Sequence, residues 1–526
     1  MRRHETIPAR SVSEPLKGRY VYDLGQNIVG WVRLEIAGRA GQRLTVRHAE
    51  MLNPDGTLYT SNLRGATAVD FYTLRYGMQT LEPIFTFHGF RYVEITGLDA
   101  PLSPGAVKGV VVHSAMEPAG TFESSSPLLN QLVHNIVWGQ KGNYLEVPTD
   151  CPQRDERLGW TGDAQFFINA AAFNFDIASF MPRWITTLAQ DAQFEDGRFA
   201  HVAPKVDPGG GSTAWGDAAI VCAYSLYWTY GDRRVISENY DAFARYIAWL
   251  DTKTTDGIAK VGGFGDWLNL GDPTSQDLID TAYRAELLRM MTEMARLIGR
   301  EADSLAYDRL RAETVRAFRA RFVAEDGSLK DSGQTGYALA FTMYGLLSDE
   351  QWTKAVPHFA RSIEAKGGKL ATGFIGTPRL LPALFNAKLD ALAGSLLLNE
   401  DYPGWLYQVK LGATTMWERW DGWTPERGFQ DVGMNSFNHY AFGSVGDALY
   451  RYVAGISPLA PGYKSVGIVP RPIAGLDRVR ATYRTLQGVV ESGYVRSAGG
   501  TVYNISIPPG VGAKVILPGC EREINL

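Results

Sequence analysis

Four acids and two arginines crowd into the sixteen residues from Asp150 to Gln165, DCPQRDERLGWTGDAQ. Apolar sequence flanks them, YLEV before and FFINAAAFNF after. A carboxyl held partly dry loses solvation, and its pKa rises. That is what a general acid needs at neutral pH. The plainer reading makes Asp163 a helix cap and the other charges surface ion pairs. Trp160, a large ring among the charges, argues for more than that. A second stretch, TTMWERWDGW from Thr414 to Trp423, sets Glu418 between Trp417 and Trp420. Its plainer reading is an aromatic core patch with Glu418 turned to water. Asp421 and Gly422 follow at once, which ends the segment in a loop. Rings beside carboxylates suit sugars, whose flat faces stack while their hydroxyls bond to charged groups. Two carboxylates so far apart in the chain, Glu156 and Glu418, suggest glycoside hydrolysis: one protonating the leaving oxygen, the other attacking or activating water.

Other residues extend the pattern. Trp215 (STAWGDAA) and Trp267 (GFGDWLNLG) lie in Gly-rich loops, near Asp217 and Asp266. Each alone reads as structural; together they would furnish one mouth with rings and acids. His439, in MNSFNHYAFGSVGDALY, precedes a helix, where a histidine is more often packed than functional. No HExxH, P-loop, GxSxG or dinucleotide fingerprint competes. The three cysteines, Cys151, Cys222 and Cys520, are too scattered for a disulfide framework or zinc spacing.

Several elements must position these residues. The 526-residue chain has a net charge of -4, which gives no electrostatic case for nucleic acid or a membrane surface. From about Arg19 to His113, segments such as GWVRLEIAG and FRYVEITG alternate as antiparallel strands do. Near Ser124 the period changes. SSSPLLNQLVHNIVWGQKGNYLEV opens on Ser-Pro and repeats at helical spacing. About a dozen helical stretches follow, roughly in pairs joined by Gly-rich loops, which fits an α/α toroid of six hairpins. Strand patterning returns near Tyr463. The expected fold is mainly α: an (α/α)6 barrel flanked by N- and C-terminal antiparallel β-sandwiches. The boundaries fall at residues 1–118, 119–457 and 458–526. The basic N-terminus lacks an apolar stretch after it, so no signal peptide is expected, and the cytoplasm is the default location.

DCPQRDERLGWTGDAQ closely resembles the signature of the α-L-rhamnosidases of glycoside hydrolase family 78. So do YVYDLGQNIVGWVRL, FTFHGFRYVEITG, MWERWDG, VGIVPRP and SFNHYAFGSVGDALYRYVAGI, and the resemblance covers nearly the whole chain. It implies an inverting hydrolase of terminal rhamnose, with Glu156 as general acid and Glu418 as general base. By the same resemblance Asp150, Arg154 and Asp163 would bind sugar hydroxyls. Trp160, Trp215 and Trp267 would wall the apolar side, and His439 would be a sugar contact. No cofactor is implied, and although some relatives hold a sugar-site calcium, no motif here argues for a metal. Small or oligomeric rhamnosides are the expected partners, with no nucleic acid and no membrane; a homodimer stays open. Family members usually carry further β-domains before the segment resembling YVYDLGQN, which here begins close to Met1.

Inversion would set the two carboxyl groups roughly 6.5–9.5 Å apart, against about 5–5.5 Å for retention. Three rivals have distinct signatures. An unsaturated glycuronyl hydrolase would need more basic groups than Arg154. A polysaccharide lyase would release an ultraviolet-absorbing product. A non-catalytic rhamnose-binding protein would have no use for a second carboxylate.

Overall fold

A computed structural model of the chain describes residues 1–206, 209–519 and 524–525. Cys520 therefore lies outside the described residues, as does part of the loop DPGGGSTAWGD. The described chain divides into two compact units. The first comprises Met1–Ala115, His134–Leu158 and Gln408–Tyr440; the second comprises Met116–Val133, Gly159–Tyr407 and Ala441–Leu526.

The first unit is built on an eight-stranded sheet around the long strand Arg19–Gly38. This strand pairs antiparallel with His88–Thr96 and Val107–His113. Its alternating apolar residues put Tyr22, Leu24, Val32 and Leu34 into a core with Val46, Phe90, Val93 and Ile95. The strand Arg43–Ala49 lies between His88–Thr96 and Val69–Thr73. Strand structure begins earlier than the sequence pattern indicates. Arg2–Pro8 pairs with Val107–His113, although its residues are almost all exposed and so carry no buried alternation.

The second unit carries most of the helices. FFINAAAFNFDIASFMPRWITTLAQ forms two of them, Thr161–Asn174 and Phe180–Gln190. Trp160, not Asp163, is the N-cap of the first, and Asp163 sits in its first turn. Gln276–Leu297 and Glu301–Phe322 are joined by three residues and pack as a hairpin. Ser275 caps the former by accepting from Leu278 N–H. Ser348 and Gln351 form a reciprocal capping box on Asp349–Glu364. Beyond His439 the expected regular helix is a 3-10 turn, Ala441–Val445, one α turn, Gly446–Ala448, and a π turn, Leu449–Val453.

The C-terminal strands are not purely antiparallel. Gly120–Ser124 joins Arg478–Thr485, Gly488–Ser497 and Gly500–Ser506 in one antiparallel sheet. In a second sheet Ser465–Ile468 runs parallel to Gly512–Val515. The chain leaves that sheet after Ile468, builds most of the other one, and returns. Such a long crossover, unlike a hairpin, can deliver a parallel neighbour.

Candidate active site

In the first unit, one guanidinium gathers the acids. Arg154 is about 1% exposed, and its Nη1 and Nη2 donate to the two oxygens of Glu418 at 2.8 and 3.1 Å. Its Nε donates to Glu156 Oε2 at 3.0 Å. Nη2 also lies 2.9 Å from Glu156 Oε2 and 3.6 Å from Asp150 Oδ2. Residues 264 apart in sequence are thereby held as one ionic group.

The three carboxyls differ in setting. Glu418 is buried, so it does not point to water. Its backbone N–H donates to Ser436 O, and its Oε2 accepts from Ser436 N–H at 2.8 Å. Burial alone would raise its pKa. The charges of Arg154 and His439 and the bonds from Arg154 and Ser436 outweigh it and hold the carboxyl below the usual range. Asp150 moves the other way. Burial, with the charge of Glu156 beside it, pushes it up to about 7 against the pull of Arg154. Its Oδ1 accepts from Leu158 N–H at 2.9 Å, and Cys151 Sγ–H donates to its Oδ2. Glu156 keeps an edge to solvent, its side chain being 16% exposed. Burial pushes the His439 imidazole down to about 4, so it is neutral at pH 7.

Three residues that the sequence did not single out complete this arrangement. Arg64 Nη1 donates to Glu156 Oε2 at 2.9 Å, giving that carboxylate a second guanidinium, and its Nε donates to Gly433 O. Glu50 is buried; its Oε2 accepts from Phe437 N–H at 3.0 Å, and it also accepts from Asn27 and Asn62. It thus pins the segment that faces Glu418. Ser436 Oγ donates to Gln153 Oε1 at 3.0 Å. Asp155 and Arg157 serve the scaffold through backbone groups. Asp155 accepts from Gly65 N–H, while Arg157 donates to the carbonyls of Arg154 and Phe87 and lies over the Phe87 ring. Trp417 packs with Tyr59, Ala413 and Phe437 in a small core. Asp150, Cys151 and Glu156 each offer a ligand atom within 4.8 Å of the others, but Arg154 lies among them and disfavours a cation.

In the second unit, all three expected tryptophans meet one further ring, Phe264. Its centroid lies 5.9 Å from Trp160, 4.8 Å from Trp215 and 5.9 Å from Trp267, each at an edge-to-face angle. His201 adds a contact at 5.0 Å and stacks on Trp160. Glycines make room for this cluster. A Cβ on Gly162 would stand 2.5 Å from the Trp215 ring. Gly263, at φ +139°, lies so close to Ser212 that a Cβ would stand 2.6 Å away. Asp280 holds the same loop by accepting from Val261 and Gly262 N–H at 2.6 and 2.9 Å. Asp217 and Asp266 are structural. Asp217 accepts from Ala214 N–H and Tyr246 O–H. Asp266 accepts from the N–H groups of Gly373, Ile375 and Gly376 and from Thr335. Asp163 is buried in the first turn of Thr161–Asn174.

The bacterial alpha-L-rhamnosidase 6 hairpin glycosidase domain matches residues 117–453, which places the chain in the class of six-hairpin glycosidases. Models of the same family's concanavalin-like domain and C-terminal domain match residues 14–113 and 455–525. The chain belongs to the bacterial α-L-rhamnosidase family. It is 45% identical to an alpha-L-rhamnosidase of Streptomyces avermitilis over 515 residues, which is 97% of this chain and 50% of that protein. It is 39% identical to one of Formosa agariphila, covering 99% of this chain and 58% of that protein. The S. avermitilis enzyme solved with L-rhamnose superposes at a TM-score of 0.95, covering 98% of this chain and 50% of that one. The native Aspergillus terreus enzyme also superposes at 0.95, with 32% identity, covering 100% of this chain and 63% of that one. The chain thus spans little more than half the length of the curated relatives it matches.

Proposed function

We propose that the chain hydrolyses terminal non-reducing α-L-rhamnose from glycosides or oligosaccharides with inversion. The observation that carries this reading is the unlike pair on Arg154. Glu418 is buried and held ionised, as a base on water must be; Glu156 keeps an edge to solvent, as a group that meets a leaving oxygen must. Asp150 is pushed up to about 7, but both of its oxygens are engaged inside the protein, so the acid role goes to Glu156. In this reading Asp150, Arg154, Asp163 and His439 bind sugar hydroxyls, and Trp160, Trp215 and Trp267 take the apolar side. The relative solved with L-rhamnose supports the choice of sugar.

Bonds of 3.1 and 2.9 Å to the single Nη2 atom keep the nearest oxygens of the two glutamates within about 6 Å, short of the roughly 6.5–9.5 Å that leaves room for an inverting water. Substrate binding is therefore expected to draw Glu156 away from Arg154. The same reading places the helices in an (α/α)6 toroid between β-sandwiches, with domains at 1–118, 119–457 and 458–526. It needs no cofactor and puts the chain in the cytoplasm, to be checked by cell fractionation. No helix among the described residues is long and apolar enough to cross a membrane.

Turnover of an aryl α-L-rhamnoside against other aryl glycosides tests the substrate. Proton NMR of the first-formed sugar tests the stereochemistry. Initial β-rhamnose supports inversion; initial α-rhamnose overturns it. Sedimentation of the purified chain decides between monomer and homodimer.

A further inference from the structure

Arg64 stands on the turn 61–65 in a backbone conformation that a residue with a Cβ resists, φ +54° and ψ −118°. Such strain persists only where the surroundings over-determine it, and it gathers at functional sites. Here contacts on both sides hold the turn. Asp155 accepts from Gly65 N–H at 3.0 Å, and a Cβ on Gly65 would stand 2.6 Å from the same carboxylate oxygen. On the other side Asn62 Nδ2 donates to Asn435 O at 2.9 Å. The guanidinium that this turn carries is itself tethered. Its Nε donates to Gly433 O at 2.9 Å, and its Nη2 donates to the same carbonyl. Its Nη1 donates to Glu156 Oε2 at 2.9 Å. Adjacent acids thus divide the turn between them: Asp155 holds its backbone and Glu156 meets its side chain.

We propose that Arg64 is the positioning residue of the general acid: when substrate draws Glu156 off Arg154, Arg64 keeps hold of it and sets where its proton is delivered. The proposal rests on the rhamnosidase reading above. Glu156 Oε2 is shared between two guanidiniums, and neither is free to follow it. Arg154 is committed to Glu418 by bonds of 2.8 and 3.1 Å, and Arg64 is committed to the Gly433 carbonyl. An acid released from the first therefore swings about the second. The carboxyl groups can then separate to make room for the inverting water without the acid drifting into solvent. A lysine could not serve in this way, because a point charge lacks the fork that spans Glu156 and Gly433. The step balances. The glycosidic C–O bond breaks and its oxygen takes the Glu156 proton, while Glu418 takes a proton from the water whose oxygen bonds to the anomeric carbon. Arg64 enters neither bond change and acts only through Glu156.

The test measures kcat and KM of the full chain on two rhamnosides: a dinitrophenyl one, which leaves with little protonation, and an alkyl one, which needs it. A misplacement of about 1 Å costs about 100-fold, so Arg64→Met should lower kcat about 10- to 100-fold on the alkyl rhamnoside and less than about 3-fold on the dinitrophenyl one, with both KM values within about 3-fold. In a Glu156→Gln background the same substitution should cost nothing further, because it acts through that side chain. Asp155→Ala removes the acceptor for Gly65 N–H and leaves Arg64 in the chain. It should show the same pattern more weakly, and at an exposed position it keeps the test valid if Arg64→Met fails to fold. Equal losses on both rhamnosides, a loss confined to KM, or a full additional loss in the Glu156→Gln background overturns the proposal. A Glu156→Gln enzyme that loses equally on both rhamnosides refutes the acid assignment itself, whatever Arg64→Met does.

Discussion

Replacing Arg154 by methionine keeps most of the buried stem and removes the guanidinium that joins the acids. Glu418 loses bonds of 2.8 and 3.1 Å and retains the one from Ser436 N–H. Removing one side of a buried ion pair costs about 3–5 kcal/mol while the partner stays charged. Glu418 can limit that cost by taking up a proton. In the wild type its pKa in the folded state is depressed. The stability it contributes is thus present above the unfolded pKa of about 4.3 and is lost as pH falls through the folded value. Without Arg154, burial prevails and the folded pKa rises, so the variant loses stability as pH climbs from about 4.3 toward the new value. The gap between the two proteins should therefore be smallest below about pH 4 and largest above about pH 7. Unfolding entropy of about 2.1 cal/mol/K per residue over the 526 residues turns 3–5 kcal/mol into a gap of about 3–5 °C if the chain melts as one. Thermal unfolding by circular dichroism across this pH range measures the gap. The acidic limb of kcat/KM on an aryl rhamnoside, where the base must be ionised, should move up in parallel. A variant whose Tm tracks the wild type at every pH, with an unmoved acidic limb, refutes the claim that Arg154 sets the ionisation of Glu418.

Glu156→Gln should lose most activity on rhamnosides with poor leaving groups and less on activated aryl rhamnosides; equal losses on both count against the acid role. Phe264→Ala should raise KM more than it lowers kcat, since it removes a ring shared by three tryptophans at about 0.5–1.5 kcal/mol per contact; an unchanged KM would separate that cluster from substrate binding. Gly162→Ala should force Trp215 aside at a cost of about 1–3 kcal/mol, visible as a lower Tm and altered tryptophan fluorescence. Burial pushes Glu50, Asp150 and Asp217 each up to about 7. These folded pKa values exceed the unfolded ones, so the stability they contribute is full below about pH 4 and lost as pH rises through 7. His113 and His439, lowered to about 4 by burial, oppose this only up to their unfolded pKa of about 6.5. Apparent Tm should fall most steeply between about pH 6.5 and 7.5, and a Tm that climbs there contradicts the assignment.

Some of this was legible in the sequence and some was not, for physical reasons. Arg19–Gly38 could be read because its apolar residues alternate, whereas Arg2–Pro8 buries almost nothing and left no pattern. The carboxylate pair was visible because each glutamate has an aromatic, charged neighbourhood within a few residues. That Glu418 is buried on Arg154 was not, because an ion pair across 264 residues has no local signature. Arg64 and Glu50 look like ordinary surface charges in a strand-rich region, and only the fold buries Glu50 and brings Arg64 to Glu156. Phe264 hid among the glycines of VGGFG, which read as a turn; a lone ring in so permissive a loop was the available clue.

The way Gln408–Tyr440 is sewn into the N-terminal sheet sets a timetable for biosynthesis. Gln26 and Asn27 bond to Thr414, Asn62 to Asn435, Arg64 to Gly433, and Glu50 to Phe437. The Arg64–Gly433 bond spans 369 residues, which a ribosome adding about 5–20 residues per second needs about 20–75 s to make. Until then the nascent sheet holds Glu50 without the amide that helps bind it and Arg64 without its distal carbonyl. The part of the first unit around Arg154 thus closes late, on a strap made 369 residues after Arg64. Ribosome-bound chains released before about residue 440 should remain open to protease at Asn62–Gly65, and longer ones should not.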